Sequence, residues 1–174
     1  MRSWSPPQVV APYAFVLMPF REVWSETVNE AIRRVCVQIA RTFPGFTAEK
    51  ADEITEPGRI TDQIVSAIER ADVLVADITG SNANVMFELG YADALSKPII
   101  VLNQSVDATP FDIRDWRQIG YTTDDLRKLS RTLTDFMAGT LLRLGFSRAA
   151  ATGPEMLSGD DLPDEELDDP LSLA

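Results

Sequence analysis

ADVLVADITGSNANVMFELGYADALSKPIIVLN, residues 71–103, combines short apolar runs with polar loops in a way that sets the type of fold. The β-branched run from Val73 to Asp77 predicts a strand that ends on a carboxylate. A polar loop from Ile78 to Ala83 leads into a predicted helix from about Asn84 to Leu95. The run from Pro98 to Leu102 has no polar alternation, which is typical of a strand covered on both faces. These elements form a βαβ unit, and its right-handed crossover makes the two strands parallel.

The rest of the chain continues this alternation on both sides of the unit. The other predicted elements are strands at 13–18, 46–51 and 118–121 and helices at 25–41, 62–70 and 124–144. The pattern predicts an α/β fold of the flavodoxin-like, doubly wound type, with five parallel strands in the order 2-1-3-4-5 and helices on both faces. In such sheets the binding crevice lies at the carboxyl ends of the strands, here between the first and third strands.

Composition divides the chain into three parts. Residues 1–12, which contain three prolines, are expected to form a flexible arm, and residues 13–148 are expected to form one domain. Residues 149–174 are expected to be a disordered acidic tail, because eight of the 27 acidic residues and none of the 16 basic ones lie in residues 155–174. The remaining body is close to neutral, which argues against a nucleic-acid partner.

The cysteine and histidine content excludes several kinds of chemistry. The chain has no histidine and one cysteine, Cys36, which lies in an apolar helical stripe and is expected in the core. Triads that need histidine are excluded, and we expect neither a metal site nor a cofactor. We find no signal peptide and no apolar run of membrane-spanning length, so we expect a cytoplasmic protein without a membrane partner.

The helix of the central unit carries the first candidate site residues. Asn84, Glu88 and Tyr91 are spaced i, i+4 and i+7, so they share one face of the helix. The amino end of this helix points into the predicted crevice, where its dipole favours the charge of Glu88. The alternative is that Glu88 forms a salt bridge with an arginine such as Arg21.

Two loops at the same edge of the sheet supply further candidates. The loop in front of the helix suits a phosphate through its amides and hydroxyls, although a capped helix needs the same residue types. Asp77 at the strand end either orients a ligand hydroxyl or caps its own loop. The loop after the first strand is expected to close over the ligand. The candidate binding residues of the two loops are Pro19, Phe20, Arg21, Thr79, Gly80, Ser81 and Asn82.

Several motifs resemble those of the nucleoside 2-deoxyribosyltransferase superfamily. The ELGYA motif at Glu88–Ala92 is the most specific, and FVLMPF-(x)3-W from Phe15 and PFDIR-(x)4-IGY from Pro110 are similar to motifs of less-characterised members. The superfamily includes 2-deoxynucleoside 5-phosphate N-hydrolases and, more distantly, TIR domains that cleave NAD. In the transferases and N-hydrolases the motif's glutamate is catalytic, so the resemblance implies that Glu88 acts at C1 of the sugar as the N-glycosidic bond breaks.

The chain departs from the family pattern at three helper positions. Asn82 stands where the transferases have an aspartate and the hydrolases a serine, Ile64 where they have an aspartate, and Phe15 where they have a tyrosine. The leading hypothesis is therefore a nucleotide-binding N-glycosidase-like protein that acts on a nucleoside phosphate or an NAD-like nucleotide. The alternatives are a non-catalytic nucleotide-sensing or effector module and a protein-interaction scaffold. Since relatives often complete their sites across a dimer interface, the resemblance also makes a homodimer a hypothesis.

Overall fold

The computed structural model describes residues 11–51 and 59–149. In chain order the strands and helices are β1 (Tyr13–Leu17), α1 (Ser25–Thr42), β2 (Thr47–Lys50), α2 (Ile60–Arg70), β3 (Val73–Asp77), α3 (Ala83–Ala94), β4 (Ile99–Asn103), β5 (Gln118–Gly120) and α4 (Leu126–Arg143). Apart from residues 11, 12 and 149, the predicted arm and acidic tail lie outside the described residues.

The strands form the predicted sheet. Within the described ranges, five parallel strands are ordered β2-β1-β3-β4-β5. This arrangement confirms the doubly wound fold and the order 2-1-3-4-5. The strand order reverses between β1 and β3, where Leu17 lies opposite Ala76. The loops that follow these two strands therefore start side by side at one edge of the sheet.

Helices cover both faces of the sheet, and the alternation of side chains along each strand assigns residues to one face or the other. Val73 and Val75 of β3 pack in one apolar cluster with residues of α1 and α4. Leu74 and Ala76 pack in a second cluster with residues of α2 and α3. Because successive side chains of a strand point to opposite faces, Asp77 points to the α1/α4 face. Glu88, on α3, therefore belongs to the other side of the sheet.

The two longest helices are amphipathic. Both α1 and α4 span 18 residues and turn an apolar stripe towards the sheet. Their opposite faces carry arginines and carboxylates that are exposed to solvent. In the part of the chain that the structure describes, we find no helix with the length and apolar content that crossing a membrane requires.

Candidate functional site

A cavity of about 230 Å³ opens between α2 and α3, and we call it the α2–α3 cavity. It forms because the two helices lie side by side on the same face of the sheet. Its walls are mainly apolar, and polar groups are contributed by one residue of α2 and three of α3. The lining residues are Ile60, Thr61, Ile64, Val65, Ile68, Asn84, Phe87, Glu88 and Tyr91. Among the described residues, no group of three or more side chains of metal-binding type lies close enough together to hold a metal ion.

Three of the candidate residues on α3 meet in this cavity. Asn84, Glu88 and Tyr91 all line it, as their spacing on one helical face requires. Val85, Leu89 and Ala92 of the same helix are buried against the sheet, so α3 is held by its apolar side while these three residues face the cavity. The geometry therefore presents a carboxylate, a carboxamide and a phenol to whatever occupies the space.

The Glu88 carboxyl is half-buried, and no opposite charge compensates it among the residues that the structure describes. Burial raises its pKa from 4.5 to about 7. Within the described ranges, no hydrogen-bond donor or basic group contacts it, and Arg21, the partner in the salt-bridge alternative, is exposed and forms no ion pair with it. A carboxyl with this pKa populates both protonation states at neutral pH, so it is able to face a developing cation or exchange a proton.

Tyr91 is fixed from outside the cavity. Its hydroxyl donates a hydrogen bond of 2.7 Å to Oε1 of Glu69 on α2, and this carboxylate raises the pKa of the phenol. Lys97, in the turn after α3, donates to the backbone oxygens of Glu69 and of Ala71, the latter over 2.9 Å. These contacts link the last turns of α2 and α3 and hold the two walls of the cavity together.

The loop before α3 is organised as a helix cap. Oδ1 of Asn82 accepts hydrogen bonds from the backbone N–H groups of Asn84, over 3.0 Å, and Val85, over 3.4 Å. Gly80 and Ser81 have positive φ angles of 73° and 51°, which turn the chain into the cap. Asn82 thus caps α3, as in the capping alternative, while the Thr79 amide donates to Asp77 and the Ser81 amide to the Ile78 backbone oxygen. Thr79, Gly80, Ser81 and Asn82 do not line the α2–α3 cavity, so their contact with a ligand stays a prediction.

Asp77 is fully buried on the other face of the sheet. Its Oδ1 accepts a hydrogen bond of 3.0 Å from the backbone N–H of Thr79, and its Oδ2 accepts one of 2.5 Å from the Tyr121 hydroxyl. Burial raises its pKa, and the hydrogen bonds from Thr79 and Tyr121 oppose that rise. The hydrogen bond from the Thr79 amide shows that Asp77 caps its own loop, which was one of the two roles that the sequence left open. The orientation of a ligand hydroxyl by Asp77 stays a prediction.

The candidates after β1 lie at the same edge of the sheet but outside the wall of the cavity. The Pro19 backbone oxygen accepts a hydrogen bond of 2.7 Å from Ser25 Oγ, which fixes the start of α1. Phe20 is 47% exposed, with Lys50 Nζ 5.7 Å from its ring centroid. Arg21 is exposed. Pro19, Phe20 and Arg21 do not line the α2–α3 cavity.

Sequence reasoning missed most of the α2 wall. Ile68 is fully buried in the core and Ile64 packs against the same cluster, and both also line the cavity together with Ile60, Thr61 and Val65. The spacing of Ile60, Ile64 and Ile68 by four residues marks one face of a helix, and this was the available signal. Which face meets α3 depends on how the two helices pack, so the cavity itself had no signature in the sequence.

Comparison with known proteins supports one family. The model of the family described as nucleoside 2-deoxyribosyltransferase matches residues 14–137. A 2-deoxyribosyltransferase from Bacillus psychrosaccharolyticus has 18% identity and a TM-score of 0.52, and the match covers 66% of this chain and 89% of that one. The CMP N-glycosidase BcmB from Clostridium botulinum has 18% identity and a TM-score of 0.50, with 70% and 97% covered. At this identity the two structures show a shared fold.

A third solved structure, a 2-desoxiribosyltransferase from Leishmania mexicana, has 19% identity and a TM-score of 0.43, and the match covers 53% of this chain. The present chain spans 65% of the length of that protein, which is less than two thirds. No curated protein sequence matches the chain. The family match, in contrast, extends over more than half of the 174 residues. The chain therefore belongs to the nucleoside 2-deoxyribosyltransferase family.

Proposed function

We propose that this protein cleaves the N-glycosidic bond of a nucleoside phosphate or an NAD-like nucleotide, with Glu88 acting at the anomeric carbon of the sugar. The observation that carries the proposal is the Glu88 carboxyl, which lines an apolar cavity without a basic partner among the described residues and whose pKa is raised to about 7. Membership of the nucleoside 2-deoxyribosyltransferase family, and the fold shared with a protein named as a CMP N-glycosidase, support the same bond as the target.

The proposed role of Glu88 follows from the charge that develops in the reaction. As the bond between C1 and the base nitrogen breaks, its electron pair leaves with the base, and positive charge spreads over C1 and the ring oxygen. The ionised Glu88 carboxylate stabilises this charge or bonds to C1, and water then completes the hydrolysis and supplies the proton that the base takes up. A fixed anion acts more strongly beside apolar groups than in bulk water, and Ile64, Val65 and Ile68 supply apolar surface to the wall that Glu88 shares.

The other candidate residues have supporting roles in this proposal. Asn84 and Tyr91 line the same cavity and would hydrogen-bond sugar hydroxyls. Arg21 and the loop from Thr79 to Asn82 carry the cationic and polar groups that suit the phosphate of a nucleotide. No basic side chain lines the α2–α3 cavity within the described ranges, so the phosphate would have to lie towards the sheet edge, where these loops start.

Release of free base tests the proposal. Nucleoside monophosphates and NAD are incubated with the wild type, with Glu88→Gln and with Asp93→Asn, and released base or nicotinamide is quantified by chromatography. Asp93 is an exposed carboxylate on the same helix, so its loss controls for the change in charge. We expect release by the wild type and Asp93→Asn and a loss of at least about a hundredfold in Glu88→Gln. Equal release by all three proteins would overturn the role of Glu88.

A second candidate function is nucleotide binding without turnover. It is favoured by Ile64, an apolar residue that lines the cavity where the family pattern has an aspartate. Among the described residues, Glu88 is the one acidic side chain in the cavity wall, so a second carboxylate for proton transfer is missing there. Stabilisation of the fold by a nucleotide, measured by thermal unfolding, together with no base release would favour this function over catalysis.

A further inference from the structure

Four residues at the carboxyl ends of β3, β4 and β5 form a closed ring of hydrogen bonds. Asp77 accepts from the Thr79 amide over 3.0 Å and from the Tyr121 hydroxyl over 2.5 Å. Gln104 donates from Nε2 to the Tyr121 hydroxyl and from its backbone N–H to Thr79 Oγ1, each over 3.0 Å. The ring joins the end of β3 to the residues that follow β4 and β5, and we call it the Asp77 ring.

The ring buries the Asp77 carboxyl group, and no cation contacts this group in the described ranges. Asp77 has no exposed surface, and in the part of the chain described here its hydrogen-bond donors are neutral groups. Removing a carboxylate from water is costly unless hydrogen bonds compensate, and a neutral side chain at this position would avoid that cost. Such an arrangement is expected where the geometry that the hydrogen bonds of the carboxyl group enforce matters more than the stability that they contribute.

The ring anchors the segment that leads to Glu88. Only residues 78–82 separate Asp77 from α3, and Thr79, the first residue held by the ring, begins the turn at Gly80 and Ser81. The turn places Asn82 as the cap of α3, and Glu88 follows this cap by six residues on a continuous helix. A shift of the anchored turn would therefore be transmitted along α3 to the carboxyl in the cavity.

We propose that Asp77 is a positioning residue that, through Tyr121, Gln104 and Thr79, fixes the turn before α3 and so sets the place of the Glu88 carboxyl in the α2–α3 cavity. The proposal rests on the proposed function, because it assigns the ring a role in placing the catalytic group. It gives Asp77 no contact with the substrate. It also gives Tyr121 and Gln104, which the sequence did not mark as site residues, a part in the activity.

Matched tyrosine variants test the role of the ring. Tyr121→Phe removes one hydrogen bond to Asp77. Tyr13→Phe, the control, removes a hydroxyl that donates to Glu49 over 2.8 Å. Tyr13 and Glu49 belong to the β1–β2 strand pair, whereas the ring joins β3, β4 and β5. At a temperature where both variants are folded, we expect kcat for base release to fall about tenfold to a hundredfold in Tyr121→Phe, with KM changed less than about threefold. Tyr13→Phe should retain the wild-type kcat. Asp77→Asn should behave as Tyr121→Phe does and serves as the second variant of the ring.

A readout that does not need turnover separates this proposal from the proposed function. The pH at which the Glu88 carboxyl titrates is followed by NMR with carboxyl-labelled glutamate, with Glu88→Gln used to assign the signal. In Tyr121→Phe we expect the midpoint to move by about half a pH unit or more, because a displaced carboxyl changes its burial. A Glu88 midpoint in Tyr121→Phe equal to that of the wild type, or a kcat for base release equal to that of the wild type, would overturn the ring's role. A shifted midpoint in a protein without turnover would support the ring and overturn the proposed function.

Discussion

Replacing Glu88 by glutamine is expected to stabilise the fold at neutral and alkaline pH, although it removes the proposed catalytic group. The carboxyl is half-buried in the α2–α3 cavity, and its pKa is raised from 4.5 to about 7 because burial disfavours the charged form. Between these two values the folded protein binds more protons at this site than the unfolded chain does. The free energy of unfolding of the wild type therefore falls as the pH rises from about 4 to about 8.

The magnitude follows from the two pKa values. A pKa raised from 4.5 to about 7 corresponds by linkage to at most about 3.4 kcal/mol. Solvent reaches part of the carboxyl and weakens the effect, so we expect Glu88→Gln to be more stable than the wild type by about 1–2 kcal/mol above pH 8. Near pH 4 the carboxyl is protonated in both states, and the advantage of glutamine should disappear.

Urea denaturation at pH 4 and at pH 8.5 measures the effect. Asp93→Asn, an exposed charge change on the same helix, is the matched control for net charge. A stability difference between Glu88→Gln and the wild type that is equal at the two pH values would refute the reasoning, because it would show that the Glu88 charge is not desolvated. A stabilising substitution at the proposed catalytic residue would also be the expected mark of a site that gives up stability for activity.

Three further predictions concern catalysis, the cap of α3 and the core. If the ionised Glu88 carboxylate acts at C1, kcat/KM for base release should rise with pH up to about 7 and then level off, and a profile that falls over this range would contradict the role. Asn82→Ala should lower the free energy of unfolding, measured in urea, by about 1 kcal/mol. Asn82→Asp keeps an acceptor for the first-turn amides and should retain most of the wild-type stability. Equal losses of stability in the two variants would argue against the cap. Leu133→Ala, in the core between α4 and the sheet, should cost about 2–5 kcal/mol in the same assay, and a loss below about 1 kcal/mol would be inconsistent with its complete burial.

The fold was predictable because the apolar patterns are local and consistent along the chain. The run VLVAD and the continuous run IIVL specify strands without any knowledge of their neighbours, and the helix between them was placed within one residue of its observed ends, Ala83 and Ala94. The right-handed crossover rule then restricts the sheet order to few choices. The arrangement β2-β1-β3-β4-β5 confirms that these local signals were sufficient.

The candidate site was predictable only along α3. The helical period placed Asn84, Glu88 and Tyr91 on one face, and all three line one cavity. The opposite wall is supplied by α2, and no local signal specifies how two helices pack against each other. The same is true of Asp77, because its partner Tyr121 lies 44 residues further along the chain and is brought to it only by the pairing of β3, β4 and β5.

The most direct test of the proposed chemistry is a crystal structure of the Glu88→Gln protein with a bound nucleoside monophosphate. The substitution blocks turnover while it keeps the shape of the side chain, so the ligand should remain intact. We predict that the sugar lies in the α2–α3 cavity with C1 about 3–3.5 Å from the side-chain oxygen of residue 88, the separation of groups poised to react. A ligand bound with C1 well beyond that distance, or bound elsewhere on the protein, would contradict the proposal that Glu88 acts on the glycosidic carbon.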